Sequence, residues 1–159
     1  MSRAKKTQHR QPVADPRFGS VIVTKMINRS MRDGKKNAAQ KQIYGALDIV
    51  SQTLRREPME ILDEVLRKVS PQMEVRSRRV GGASYQVPMP VRPERSFALA
   101  VRWLILEANK RSNGTYHSFA EKLAAEMMDA LKEEGGAFGK KLTTHKMADA
   151  NKAFAHFRW

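Results

Sequence analysis

The sequence predicts a mainly α-helical protein, a bundle of about six helices from which a two-stranded β-hairpin arm protrudes. Apolar residues recur at helical spacing through most of residues 19–159, whereas a strand-like pattern around a glycine pair occurs at residues 73–89. Residues 1–18 are polar, basic and interrupted by two prolines, so they bury too little apolar area to offset the entropy of ordering. We therefore expect a disordered, flexible basic tail at 1–18 and one helical domain at 19–159.

The first two helices are predicted from their stripes of similar side chains. Ser20 is a typical N-cap residue for the first helix, which the turn at residues 33–34 ends. A cationic stripe at spacing i, i+4 and i+7 consists of Lys25, Arg29 and Arg32. The second helix spans about residues 35–54. The inward side chains of both helices are predicted to be Ile22, Val23, Met26, Ile27, Ala39, Ile43, Ala46, Leu47 and Val50.

Proline marks the start of the next two helices. Pro58 suits the first turn of the third helix, and Pro71 stops it because the residue before a proline avoids helical geometry. Pro93 opens the fourth helix, which Gly114 closes. Their inward side chains are predicted to be Ile61, Leu62, Val65, Leu66, Val69, Phe97, Val101, Leu104, Ile105 and Ala108.

The last third of the chain combines a clear helix start with a glycine-rich stretch. Ser118 and Glu121 have the spacing of a capping box, which predicts a fifth helix that ends near Leu131. We predict that EEGGAFGKK, residues 133–141, is a loop. A short last helix then covers residues 145–156, with Thr143 or Thr144 as its cap.

The predicted hairpin carries arginine on both of its faces. A two-residue turn at residues 81–82 places Arg78 opposite Tyr85, with Arg76 on the same face and Arg79 on the other. A packed strand pair normally has one apolar face, and this pair has none. We interpret the hairpin as an arm whose arginines bind phosphate and whose Tyr85 stacks on bases. Alternatively, the arginines only prevent strand-to-strand aggregation at the sheet edges.

The charge of the chain points to an anionic partner. There are 30 Lys and Arg residues against 16 Asp and Glu residues, which gives a net charge of +14. Residues 1–41 hold 11 basic and 2 acidic side chains, and residues 76–111 hold 8 and 2. A generally solvated cationic coat would be spread more evenly, so nucleic acid or an acidic membrane is indicated. Membrane binding is the weaker interpretation, because the cationic helices lack aromatic residues that mark a lipid-facing side.

No local motif in the sequence supports an enzyme, a metal site or a cofactor. GGAFGKK at residues 135–141 lacks the glycine spacing and the hydroxyl residue of a phosphate-binding loop. The chain has no cysteine, and its 4 histidines do not have metal-ligand spacing. We therefore predict no catalytic residue, no bound metal and no cofactor.

The predicted RNA-binding residues are the basic side chains of the tail, of the cationic helices, of the arm and of the glycine-rich stretch, together with one tyrosine. They are Arg3, Lys5, Lys6, Arg10, Lys25, Arg29, Arg32, Lys35, Lys36, Arg76, Arg78, Arg79, Tyr85, Arg92, Arg95, Arg102, Lys110, Arg111, Lys140 and Lys141. Because A-form RNA hides its base edges, we expect these residues to read the backbone and the shape of a junction.

Four blocks of the sequence resemble one known family. They are residues 15–47, 73–95, 98–105 and 147–159, and together with the order of tail, helices and arm they extend the similarity over nearly the whole chain. The family is the bacterial ribosomal protein seven of the small subunit. RSRRVGGASYQVP in the second block is its most specific part, and residues 34–36 match the family's Gly-Lys-Lys.

The resemblance implies a structural constituent of the small ribosomal subunit in the cytoplasm. Such a protein has a helical fold with a β-ribbon arm, binds the 3′ major domain of the small-subunit ribosomal RNA and nucleates assembly of the subunit head. Its arm lies at the subunit interface, near the exit-site transfer RNA and the messenger exit. Its implied protein partners are the ninth and eleventh small-subunit proteins. Some members also repress translation of their own operon.

Two rival functions also account for the charge. A histone-like protein that compacts nucleic acid would contact grooves with little preference for a folded RNA junction. An RNA enzyme or chaperone would show turnover or strand annealing. The arm is also compatible with the histone-like function, so binding selectivity is what separates that function from binding of an RNA junction.

Overall fold

The computed structural model describes residues 11–158, so the predicted RNA contacts of Arg3, Lys5, Lys6 and Arg10 lie outside the described residues. The described part is mainly helical with one antiparallel hairpin, as predicted. Its elements in chain order are α1 (Val21–Ser30), α2 (Lys36–Leu54), α3 (Pro58–Val69), β1 (Met73–Val80), β2 (Ala83–Pro90), α4 (Pro93–Lys110), α5 (Phe119–Leu131), α6 (Gly135–Ala150) and a C-terminal 3₁₀ segment (Lys152–Arg158).

Local sequence signals determine where most of the helices begin. The Ser20 hydroxyl accepts a hydrogen bond from the backbone N–H of Ile22, and the Ser118 hydroxyl accepts one from Glu121. Pro58 and Pro93 occupy the first position of α3 and α4. These starts confirm the predictions, because each cap or proline satisfies a helix end without help from the rest of the fold.

Helix α5 lies at the centre of the bundle and packs against α2, α3, α4 and α6. Its Leu123 and Met127 are fully buried, and Gly45 on α2 approaches so closely that an added Cβ would lie 3.3 Å from the Ala120 Cβ. The apolar stripes predicted for α2, α3 and α4 converge on this helix, and that of α1 packs against α2 and α4. A single hydrophobic core therefore forms around α5.

The glycine-rich stretch is a helix, so the loop predicted for residues 133–141 is wrong over most of its length. Helix α6 begins at Gly135, where the backbone φ is +85°. The buried Glu126 carboxylate accepts a hydrogen bond from the backbone N–H of Ala137 at 2.8 Å and satisfies a free donor of the first turn. Thr143 and Thr144 cap nothing, because each hydroxyl donates within α6 to the carbonyl four residues earlier.

Part of the segment predicted to be a flexible tail packs against the bundle. Of residues 1–18, the structure describes 11–18. Asp15 is buried and accepts a hydrogen bond from the Tyr44 hydroxyl at 2.8 Å, and Arg17 pairs with Asp48 at 2.8 Å. Phe18 packs edge-on against the Tyr44 ring. Contacts with the bundle are therefore present at Val13, Asp15 and Arg17, within the segment expected to be a tail.

Candidate RNA-binding surface

The cationic stripes of α1 and α4 lie side by side and form one surface. A groove between the two helices is lined by Lys25 and Arg29 from α1 and by Arg102 from α4. Phe97 and Val101 add apolar lining, and Glu94 adds one carboxylate. An adjoining groove is lined by Arg29, Arg32, Arg102 and Lys110. Two stripes predicted from separate parts of the chain therefore become a single basic surface.

The start of helix α2 extends this surface. Arg32 and Lys35 line a third groove beside Asn109, and the Arg32 guanidinium donates to the Asn109 side-chain oxygen at 3.4 Å. Lys35 and Lys36 occupy the N-cap and the first position of α2, where no side chain caps the helix and no acidic residue occupies the first turn. Lysine is unfavourable at this positive helix end. A bound anion would offset that repulsion, and for this reason Lys35 and Lys36 are strong candidates for phosphate contact.

The cations of this surface keep their charges available. Among residues 11–158, six of them are exposed and form no ion pair with a carboxylate; they are Lys25, Arg29, Arg32, Lys35, Lys36 and Arg102. The Lys25 ammonium lies over the Phe97 ring at 5.4 Å, which leaves its charge accessible. Exposed cations that no carboxylate neutralises are the side chains that can neutralise phosphates at little cost to the fold.

Several other predicted RNA-binding residues have internal partners instead. Lys110 and Lys140 both contact the Glu107 carboxylate at 2.9 Å, and Lys141 donates to the backbone carbonyl of Lys68 at 2.6 Å. Burial raises the pKa of Glu107, but the hydrogen bonds from Lys140 and Lys110 outweigh burial and hold this pKa below its ordinary value. Lys140 and Lys141 join α6 to α4 and α3, so holding the bundle together accounts for them without RNA. The pair between Lys110 and Glu107 lies within α4 and leaves the Lys110 side chain 61% exposed.

Arg111 is held within the protein by two carboxylates, and its side chain is only 18% exposed. Its guanidinium donates twice to one oxygen of Glu126, at 2.9 and 2.7 Å, and also pairs with Asp129. Burial lowers the pKa of Arg111, but the hydrogen bonds to Asp129 and Glu126 outweigh it and raise the pKa above its ordinary value. The other Glu126 oxygen receives the Ala137 N–H. This group of charges, which we call the Arg111 node, fastens the end of α4 to α5 and to the start of α6.

The base of the arm is fixed by a buried carboxylate. The strand register pairs Arg78 with Tyr85 and Arg76 with Val87, which confirms the register expected for a two-residue turn. Glu74 is buried and accepts hydrogen bonds from Arg76 at 2.5 Å and from Arg95 at 2.7 Å. Burial raises the pKa of Glu74, but the hydrogen bonds from Arg95 and Arg76 outweigh burial and lower the pKa. Arg76 and Arg95 are half-exposed, and the Glu74 carboxylate that they share neutralises part of their charge.

The outer half of the arm is covered on one face by the C-terminal 3₁₀ segment. The Tyr85 ring packs against both Phe154 and Phe157, with centroid distances of 5.2 and 5.3 Å, and Arg78 donates to the backbone carbonyl of Phe157 at 3.3 Å. The Tyr85 ring is therefore engaged within the protein, and its predicted stacking on bases would require the two phenylalanines to move. Sequence reasoning missed this contact, although two phenylalanines three residues apart in FAHF were a visible signal. Arg79 and Arg92 remain exposed.

Comparison with known proteins identifies the family. The family model described as Ribosomal protein S7p/S5e matches residues 2–152. The chain belongs to this family. Membership confirms the resemblance drawn from the sequence and makes the chain a structural component of the small ribosomal subunit, which lies in the cytoplasm of bacteria.

Relatives with known names are similar to this chain over their full length. The small ribosomal subunit protein uS7 of Carboxydothermus hydrogenoformans is 53% identical over 159 residues, and that of Thermoanaerobacter sp. (strain X514) is 52% identical. The uS7 protein of Rhizobium johnstonii is 49% identical, and each comparison covers 100% of both chains. These relatives are ribosomal structural proteins, not enzymes. Within residues 11–158, no helix is long and apolar enough to cross a bilayer.

Proposed function

We propose that this protein is a primary binder of the 3′ major domain of the small-subunit ribosomal RNA and that it nucleates assembly of the subunit head. The observation that carries this proposal is the continuous surface of exposed cations formed by α1, the start of α2 and α4. The surface spans three elements that approach each other only in the folded bundle. Such a rigid, non-linear set of charges suits converging RNA helices better than a single straight duplex.

The physical effect of binding follows from this arrangement. Lysines and arginines on separate helices would neutralise phosphates on separate RNA strands, which otherwise repel each other where the strands converge. The helical core holds these side chains at fixed separations, so the RNA junction is fixed in turn. Proteins that bind later then meet a preformed RNA surface. No chemical step is involved in this function.

The position within the ribosome is part of the same proposal. We infer that the arm lies at the subunit interface near the exit-site transfer RNA and the messenger exit, and that the protein contacts the ninth and eleventh small-subunit proteins. Family membership supports these neighbours. The arm supports them physically, because Arg79 next to its turn is exposed and available to an anionic neighbour.

The test is a filter-binding titration at several salt concentrations. The head-domain RNA junction is compared with an equally long RNA duplex and with a DNA duplex. We expect a preference for the junction that survives moderate salt. Equal affinities that decline together as salt rises would refute shape-specific binding and favour a histone-like protein.

Two variants make the titration specific to the proposed surface. Arg29→Gln combined with Arg102→Gln removes two cations that line one groove, and is expected to reduce the salt slope of junction binding by about 2. Arg55→Gln is the matched control, because Arg55 is exposed at the far end of α2, about 28 Å from Lys36. An equal effect of both changes would contradict the assignment of the surface.

A further inference from the structure

We propose that the arm binds RNA with only one of its two faces, and that the C-terminal 3₁₀ segment determines which one. The open face carries Ser77, Arg79, Ser84 and Gln86. The opposite face carries Arg78 and is held by the protein itself. This inference rests on the proposed function and specifies the side of the arm that contacts the RNA backbone.

The closed face is occupied by contacts within the chain. Arg78 and Tyr85 are directly opposite each other in the strand register, so their side chains share a face. The Tyr85 ring lies 5.2 Å from that of Phe154 and 5.3 Å from that of Phe157, and the two phenylalanine rings lie 6.4 Å apart. Arg78 donates to the Phe157 carbonyl at 3.3 Å. A ligand on this face would have to displace the aromatic cluster.

The open face is polar and accessible. Its outer half carries Ser77, Arg79, Ser84 and Gln86, all of which are exposed. The hydroxyls of Ser77 and Ser84 lie 2.6 Å apart and hydrogen-bond across the strands. Hydroxyl, amide and guanidinium groups are the usual partners of phosphate and sugar oxygens. A protein partner would be expected to meet an apolar centre, and these four side chains offer none.

The closed face also explains how a narrow arm holds a defined shape. An isolated two-stranded hairpin is marginally stable in water. The C-terminal 3₁₀ segment adds a second layer over its outer half, and the aromatic pairs between Tyr85, Phe154 and Phe157 stabilise that layer beyond the area they bury. The open face is therefore presented in one orientation before RNA arrives, which reduces the entropy lost on binding.

Arginine labelling of the full-length protein with phenylglyoxal, read by mass spectrometry, tests both faces. In the free protein, Arg79 should react several-fold faster than Arg78. When the junction RNA is added, labelling of Arg79 should fall while that of Arg78 stays low. Equal reactivity of the two arginines in the free protein would refute the claim that the 3₁₀ segment covers the Arg78 face. Labelling of Arg79 that is unchanged by bound RNA would refute RNA binding by the open face and favour a protein neighbour there.

A matched pair of variants gives a second, independent measurement. Arg79→Gln should weaken junction binding and reduce its salt slope by about 1, with hydrogen exchange of the hairpin unchanged. Arg78→Gln should leave the salt slope unchanged but speed hydrogen exchange at residues 83–87. A reduced slope for Arg78→Gln with normal hairpin exchange would refute the inference.

The same titration separates this inference from the proposed function. If the parent protein shows no preference for the junction, the proposed function fails and the RNA contact of the open face fails with it. If the parent protein binds the junction normally while Arg79→Gln has no effect, only the present inference is refuted.

Discussion

Replacing Arg111 with methionine should destabilise the protein, although Arg111 was predicted from the sequence to bind RNA. Methionine keeps much of the side-chain volume but removes the charge that neutralises Glu126 and Asp129. Glu126 is 2% exposed and would keep only the Ala137 N–H as a donor among the contacts described above. A buried carboxylate without its cation is among the most unfavourable groups that a single substitution can leave.

The size of the loss follows from the burial of each partner. Breaking a buried ion pair by removing one partner costs about 3–5 kcal/mol. The Asp129 side chain is 35% exposed and recovers solvation, so we expect the lower end, about 3 kcal/mol. For a domain of this size, that loss lowers the melting temperature by about 6–12 °C.

Thermal unfolding followed by circular dichroism measures this shift, and Lys110→Met provides the matched control. The Lys110 side chain is 61% exposed in its pair with Glu107, so its loss should change stability by less than about 1 kcal/mol. Lys110 lines the cationic surface, and its replacement should instead weaken RNA binding. If Arg111→Met melts within about 2 °C of the parent, the Arg111 node does not stabilise the fold and the reasoning fails.

Two further predictions concern acid stability and a strained glycine. Because the pKa of Glu74 is lowered in the folded protein, its stabilisation is present above the unfolded pKa of about 4.3 and is lost as pH falls through the lower folded value. Glu74→Gln should therefore melt lower than the parent at pH 7, and the difference should shrink under acid; a difference independent of pH would contradict this. Gly135→Ala should cost about 1–3 kcal/mol, because φ is +85° and the new Cβ would lie 3.1 Å from both the Asp129 Cβ and a Glu126 oxygen. Gly139→Ala is the control, because Gly139 lies in the same helix and no atom lies within 4 Å of its added Cβ. Its free energy of unfolding in urea should rise by up to about 1 kcal/mol. Equal losses of stability at both glycines would refute the backbone strain at Gly135.

Much of the fold follows from signals that act within a few residues. The caps at Ser20 and Ser118 and the prolines that open α3 and α4 satisfy helix ends locally, so their positions are predictable without the rest of the chain. The register of the hairpin is predictable for the same reason, since a two-residue turn admits one pairing. The start of α6 was not predictable, because glycine is a poor helix former and the stabilising Glu126 carboxylate comes from another helix.

The candidate RNA-binding surface was likewise predictable in part from local sequence and in part only from the fold. Spacing alone identified the basic stripes of α1 and α4, but their union into one surface depends on the packing of α1 against α4. The sequence analysis also placed Arg29 and Arg111 together among the predicted RNA-binding residues. Only the structure separates them, since Arg29 is exposed and Arg111 is held by two carboxylates.

The sequence by itself determined the helical class, the arm, the excess of positive charge and the family, because composition and local pattern carry that information. The tertiary structure decided which charges remain available. An arginine or lysine has the same formal charge wherever it occurs, but its capacity to bind phosphate depends on whether a carboxylate from elsewhere in the chain already neutralises it. The same holds for Tyr85, whose ring is exposed or covered according to the position of Phe154 and Phe157. The carboxylates that hold Arg111 lie 15 and 18 residues away along the chain, and the phenylalanines that cover Tyr85 lie farther still, beyond the range of any local pattern.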